Sequence, residues 1–328
     1  MVPVFLCDKY NDDAPHFLFY FFTGYDMILI STVNGVSHMP RGVPKAGYRN
    51  RTSSKVSSMI QRPAVNLVDA YIETNEEIDA RIAGRFDILE MFANYAVAGD
   101  VRSLIVSGPA GLGKSYTVDR ALSQWDPEGS NHTVIKGYVK ATGLYKMLYQ
   151  HRFAGQVIVF DDADTIFFDD TSLNMLKAVC DTNETRRVSY LAEFSMFDEE
   201  TAEKLPRSFE FNGTIIFITN LDFDDLIARG HKLAPHMQAM VSRSHYIDMA
   251  MKTKRDYLVR IKQVVRVGLL SNRGLSQSDQ EDVLKFIDKN QDNLRELSLR
   301  MALKVGDVRK MNKTEKWEIV AKVTCCKS

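Results

Sequence analysis

Cysteine is scarce in this chain, and what there is forms no pattern. Cys7, Cys180, Cys325 and Cys326 are the four in 328 residues. None stands at C-x-x-C spacing or with histidine at a zinc-ligand spacing, which excludes a readable zinc module and a disulfide framework. The four read as free thiols of a reducing cytoplasm. A long apolar run is also missing. The most apolar stretch, residues 17–30, carries Asp26 and falls short of the ~20 residues that a membrane helix needs. Asp8, Asp12 and Asp13 precede it with a single lysine, which argues against a signal peptide. No sign of charge dominates: Lys+Arg and Asp+Glu are 42 each, so only local patches can speak for or against nucleic acid. Apolar content of 45% and charged content of 26% are ordinary for a globular protein, and the length suits one large domain or two.

What is present divides the chain into three: an extension over 1–62, an α/β domain over 63–252 and a helical domain over 253–328. Residues 1–38 are aromatic-rich and form a candidate hairpin around Thr23-Gly24-Tyr25-Asp26, or else lie upstream of a natural start at Met39. From 41 to 62 the chain holds Arg41, Lys45, Arg49, Arg51, Lys55 and Arg62 without an acid, among prolines, glycines and serines. That composition makes a flexible basic arm, either a solvated tail or a phosphate-contacting segment. Residues 64–98 turn helical, with Ile82, Phe86, Leu89 and Phe92 at three- and four-residue spacing. Strands are then expected at 133–136, 156–160 and 214–219, alternating with helices at 143–151 and 172–180. Short strands of β-branched residues separated by helices imply a parallel sheet covered on both faces. Four helical stretches, 254–270, 277–289, 292–310 and 314–325, close the chain.

The most informative stretch is 103–115, SLIVSGPAGLGKS. An apolar strand runs into Gly108-Pro109-Ala110-Gly111-Leu112-Gly113-Lys114-Ser115, the Walker A pattern in its strand–loop–helix context. The glycines let backbone N–H groups turn inward around a phosphate chain. Lys114 reaches the outer phosphates, the Ser115 hydroxyl ligates Mg²⁺, and the helix that carries Tyr116 points its positive end at the same anion. Val157-Ile158-Val159-Phe160-Asp161-Asp162 then reads as a Walker B strand. Asp161 is placed to hold Mg²⁺ through water and Asp162 to orient or deprotonate the attacking water. Asp164 reads as a residue that caps or turns the next helix and takes no part in catalysis. The strand 214–219 ends in Asn220, whose amide is placed between the two motifs to hold that water.

Together these features resemble the AAA+ ATPases, over about residues 65–325, and among them the small stand-alone AAA+ proteins of bacteriophages. The resemblance implies a parallel-sheet P-loop domain followed by a small all-helical lid, with ATP and Mg²⁺ as ligands. It also implies a homo-oligomeric ring, with a hexamer as the expected size, in which Arg243 reaches the γ-phosphate of the neighbouring subunit. The other reading of Arg243 is a surface arginine at a helix end. Asn293-Leu294-Arg295-Glu296-Leu297 is similar to the family's lid helix, so Arg295 is the first candidate for the lid arginine and Arg300 the second. Gly137-Tyr138-Val139-Lys140 stands where such rings place client-gripping loops. In the long connection 181–212, residues 185–190 and 208–211 offer a hairpin, either plain structure or one whose Arg186, Arg187 and Tyr190 would suit nucleic acid. The implied activity is ATP hydrolysis that drives a motor or loader on single- or double-stranded DNA. The alternatives are a remodeller of a protein client and a slow nucleotide-state switch, the last because Asp162 is one methylene shorter than the glutamate common at its position.

Overall fold

The computed structural model describes residues 73–191, 196–197, 202, 204–311 and 316–327. The basic arm, the aromatic-rich N-terminal stretch and Cys7 lie outside them. Residues 69–328 form one compact unit. Among the described residues no helix is long and apolar enough to cross a membrane.

The first helix, α1 (Asn75–Ala98), starts where Thr74 and Glu77 satisfy each other's backbone N–H groups and stops at Gly99 in the left-handed conformation. Its buried stripe runs Ile78, Ile82, Phe86, Leu89, Ala93 and Ala96. Then come β1 (Ser103–Ser107), α2 (Lys114–Trp125), β2 (His132–Lys136), α3 (Ala141–Gln150), β3 (Val157–Asp161) and α4 (Asp170–Val179). A short antiparallel pair, β4 (Arg187–Ser189) with β5 (Ser208–Glu210), precedes β6 (Thr214–Thr219). After α5 (Phe223–Ala228) and α6 (Ala234–Val241), β7 (His245–Asp248) completes the sheet. The rest is helical: α7 (Lys254–Arg266), α8 (Gln277–Asn290), α9 (Leu299–Met311) and α10 (Trp317–Cys325).

The sheet order is β2-β3-β6-β1-β7, all parallel. Every residue of β1, β3 and β6 is buried, as a parallel sheet covered on both faces requires. The period of two sorts their side chains. Ile105, Ile158, Phe160, Ile215 and Phe217 face the core that α3, α4 and α6 cover. Leu104, Val106, Val157, Val159, Ile216 and Ile218 face α1 and α2. The expected α/β sheet and helical C-terminal region are therefore both present.

One helix differs from expectation. The third C-terminal helix begins at Leu299, not at 292. Leu294 and Leu297 have helical spacing, but Leu294 makes an antiparallel bridge with Cys326 and Arg295 N–H donates to the Cys325 carbonyl. The helix starts only where the buried Ser298 hydroxyl accepts from Met301 N–H.

Candidate active site

The sheet order builds the site. β6 lies between β1 and β3, so the carboxyl ends of the three strands present Gly108, Asn220 and Asp161 side by side. Gly108 N–H donates to the Thr219 carbonyl at 3.2 Å and Asp162 N–H to the Ile218 carbonyl at 3.0 Å. The loop 108–113 comes next, with Gly108, Gly111 and Gly113 at positive φ. Gly111 also meets close approach from the helical region: a Cβ there would come within 2.9 Å of Ser298 Cβ. Glycine at this position therefore serves packing as well as conformation.

Lys114 is buried, and its ammonium donates to the Gly108 and Pro109 carbonyls and, at 3.1 Å, to Asn220 Oδ1. Asn220 Nδ2 in turn donates to Asp162 Oδ1 at 2.7 Å. A single amide thus ties the loop lysine to the second acid of the 157–162 strand. Asp162 adopts a left-handed conformation, φ 55°, at the strand's end, which aspartate tolerates better than most residues. Its side chain is exposed. Ser115 Oγ donates to Asp161 Oδ1 at 2.9 Å. Burial pushes the Lys114 ammonium down to about 8, against the pull of Asp162 and Asp161. Tyr116 is exposed at the start of α2, beside the loop.

Asp164 opens the short 3-10 helix Asp164–Phe167 without capping it. Its Oδ1 accepts from the Thr219 hydroxyl at 2.6 Å, and burial raises its carboxyl above the usual range. It therefore braces the β6 end on which Asn220 sits.

The two lid candidates are placed differently. Leu299 N–H donates to the Gly111 carbonyl at 2.8 Å, and this carries Arg300 to the loop. The Arg300 side chain passes within 3.6 Å of the Gly111 Cβ position, and its charge bears on Lys114. Arg295 is exposed. It lines a cavity of about 430 Å³ with Pro109, Ala110, Tyr257 and Lys327. The segment that holds it is not a helix, which overturns the expected lid-helix setting. Arg243 lies two residues before β7, whose start pairs with the beginning of β1. It is at the opposite end of the sheet from its own phosphate loop, and its guanidinium donates to the Ala239 carbonyl.

Two side chains at the site have no motif to announce them. Arg260 of α7 lies over the Phe86 ring at 3.4 Å and donates to the Leu112 carbonyl at 3.3 Å, clamping the loop from the helical side. Lys136, at the end of β2, pairs with Asp161 Oδ2 at 2.9 Å. Its signal lies in strand register alone, since Lys136 stands opposite Asp161. Of the residues offered to nucleic acid, Arg186 is 4% exposed, and its guanidinium is spent on the Val179 and Gly213 carbonyls. Tyr190 packs against Tyr145 at 5.5 Å. Arg187 and Tyr138 are exposed.

Among known proteins the chain has likenesses in both structure and sequence. No protein-family model matches it. Among solved structures it is similar to a RuvB mutant of Thermotoga maritima, with a TM-score of 0.45 and 13% identity over 77% of this chain and 72% of that one. It is also similar to domain III of the Thermotoga maritima replication initiation protein DnaA, with a TM-score of 0.44 and 13% identity over 75% and 92% of the respective chains. A relative in sequence is the uncharacterized 36.7 kDa protein in the nrdC-mobD intergenic region of Enterobacteria phage T4. It is 40% identical over 256 residues, 77% of each chain. The chain belongs to the same family as that phage T4 protein.

Proposed function

We propose that this protein is an ATP-hydrolysing AAA+ ring protein. The observation that carries this reading is the connected set Lys114–Asn220–Asp162 beside Ser115–Asp161, at the carboxyl ends of three parallel strands. Open parallel sheets bind ligands at that edge. The glycine loop and the start of α2 supply backbone donors for the phosphates, and Lys114 supplies a fixed positive charge against them. Two oxygen donors, Ser115 Oγ and Asp161 Oδ1, stand 2.9 Å apart, a set that suits a hard divalent cation such as Mg²⁺. When bound there, Mg²⁺ neutralises charge that develops on the phosphates. Asp162, held by Asn220, orients the attacking water and takes its proton. Arg300 reaches the nucleotide from the lid, ahead of Arg295.

Arg243 faces away from its own loop, so its role is to complete a neighbour's site in a homo-oligomeric ring, with a hexamer as the expected size. Of the two client classes, the side chains favour a polypeptide. Tyr138 projects from its loop with 72% exposure, and Leu191 beside the β4–β5 pair is 80% exposed. The arginine and tyrosine that would have served DNA, Arg186 and Tyr190, are committed internally. DNA is the second reading, carried by exposed Arg187 and Lys140 and by the basic composition of 41–62.

The test is steady-state ATP hydrolysis across protein concentration, with Lys114→Ala as the blank. The rate per subunit should rise with concentration and rise further with an unfolded polypeptide. Arg243→Ala should abolish turnover and keep ATP binding. A rate indifferent to concentration would remove the composite site, and stimulation by single-stranded DNA alone would turn the client assignment to nucleic acid.

A further inference from the structure

Asp161 is held from two sides. Its Oδ1 accepts from Ser115, within the phosphate-loop helix. Its Oδ2 meets the Lys136 ammonium at 2.9 Å. The carboxylate is almost wholly buried at 4% exposure, whereas Lys136 is 61% exposed and stands on an edge strand of the sheet. A protein cation therefore already occupies the outer oxygen of the carboxylate that suits Mg²⁺. Asp119 of α2 also bears on Lys136, so the ammonium sits in a small field of carboxylates.

The loop after Lys136 gives this contact a second end. Gly137 comes next, at φ 91°, with no atom within 4 Å of the place a Cβ would occupy. Glycine there can change its backbone angles at little cost. Tyr138 then projects into solvent, while Val139 is partly buried against the core and its N–H reaches the Thr165 hydroxyl at 3.5 Å. Helix α3 begins at Ala141. The loop is thus free at its tip and hinged one residue from the ammonium that touches Asp161.

We propose that Lys136 is a positioning residue that couples the 137–140 loop to the metal site: its ammonium and a divalent cation contend for Asp161, and displacement of the loop withdraws the ammonium in favour of the metal. This rests on the ATP-and-metal reading given above. The coupling is a binding free energy and must run both ways, so metal at Asp161 loosens the loop as surely as a pulled loop tightens the metal. The β2 register makes Lys136 the one residue of that strand able to do this, since its neighbours pair with Phe160 and Val159.

The experiment measures Mn²⁺ binding by electron paramagnetic resonance, with a non-hydrolysable ATP analogue present. Wild type is compared with Lys136→Met, which keeps the stem, and Lys136→Arg, which keeps the charge. Removing one positive charge from contact with the ligand carboxylate should tighten Mn²⁺ by about tenfold. The arginine variant should stay near wild type. Hydrogen exchange of the 137–140 amides is measured in the same samples. Exchange should quicken when Mn²⁺ is added to wild type and be fast from the outset in Lys136→Met. Equal or weaker Mn²⁺ affinity in Lys136→Met, or loop exchange in wild type that ignores the metal, would overturn the coupling while leaving the ATP reading intact. Wild type that binds neither the analogue nor Mn²⁺ would sink the ATP reading, and this inference with it.

Discussion

Two parts of the molecule reach the same phosphate loop by different means. The strand ends of β1, β3 and β6 do so through a regular ladder: parallel pairing fixes Ser107 against Thr219 and Asp161 against Ile218. The next side chains along, Asn220 and Asp162, are then within 2.7 Å of one another without special packing. Apart from Arg260 of α7, which reaches the Leu112 carbonyl from a regular helix, the helical region meets the loop through irregular backbone. Residues 291–298 turn, bridge to Cys326 and place Leu299 N–H on the Gly111 carbonyl. Its arginines are positioned by a few such contacts, not by a lattice of them. The first arrangement is rigid because many equivalent bonds would have to break together. The second can shift when a few do, as the proposed lid over a nucleotide would need.

The largest expected effect lies on the ladder side. Asp162→Asn keeps an oxygen for Asn220 and removes the proton acceptor. Turnover should fall by about 100-fold or more, while ATP affinity changes by about threefold at most. Single-turnover hydrolysis beside equilibrium binding separates the two quantities. Unchanged turnover would show that Asp162 is not the base and would leave the slow-switch reading standing. Asn220→Ala should fall in the same direction, and its effect combined with Asp162→Asn should be less than additive because the two side chains share one hydrogen bond.

A smaller effect tests the irregular side. Arg300→Ala should lower turnover by about tenfold and weaken nucleotide binding, because it removes a charge beside the loop. Arg295→Ala should leave both within about twofold, since that side chain lines the neighbouring cavity and has no counterpart of the Leu299–Gly111 contact that brings Arg300 to the loop. The reverse result would move the lid contact to the cavity and make Leu299–Gly111 a packing contact only.

The same contrast decides how much could be read in advance. Residues on buried strands were legible because a parallel sheet covered on both faces favours a near-continuous apolar run rich in β-branched residues, and 103–107, 157–161 and 214–219 supply it. Motif spacing also singled out Lys114, Ser115, Asp161 and Asn220, which the fold brings together. The Arg187 and Ser208 segments also pair as the sequence implied. Residues 292–298 misled because leucines at helical spacing serve a bridge and a turn equally well. Arg186 looked like a surface charge, but its partners are two backbone carbonyls, Val179 and Gly213, and carbonyl acceptors leave no trace in a sequence. Lys136 and Arg260 were missed for a related reason. One depends on strand register and the other on how α7 lies against α1, and neither is local in the chain.

The mildest effect is a pH dependence centred on Lys114, which touches both sides of the comparison. Burial is the chief cause that pushes Lys114 from 10.5 down to about 8, with Asp162 and Asp161 partly opposing it. Below that value the ammonium is charged and attracts phosphate. Above it the amine is neutral, and binding must first recover a proton. ATP affinity should therefore fall by about fourfold between pH 7 and 8.5, and binding at pH 8.5 should take up protons. Folding stability moves the other way. Between about 8 and 10.5 the unfolded chain holds a proton on this lysine that the folded chain has released, so this group adds stability as pH rises through that window. Calorimetry at pH 8.5 in two buffers of different ionisation enthalpy measures the proton uptake directly. Uptake absent there, with affinity flat across the range, would mean that Lys114 stays charged and that burial of the loop is less severe than its contacts with Gly108 and Pro109 imply.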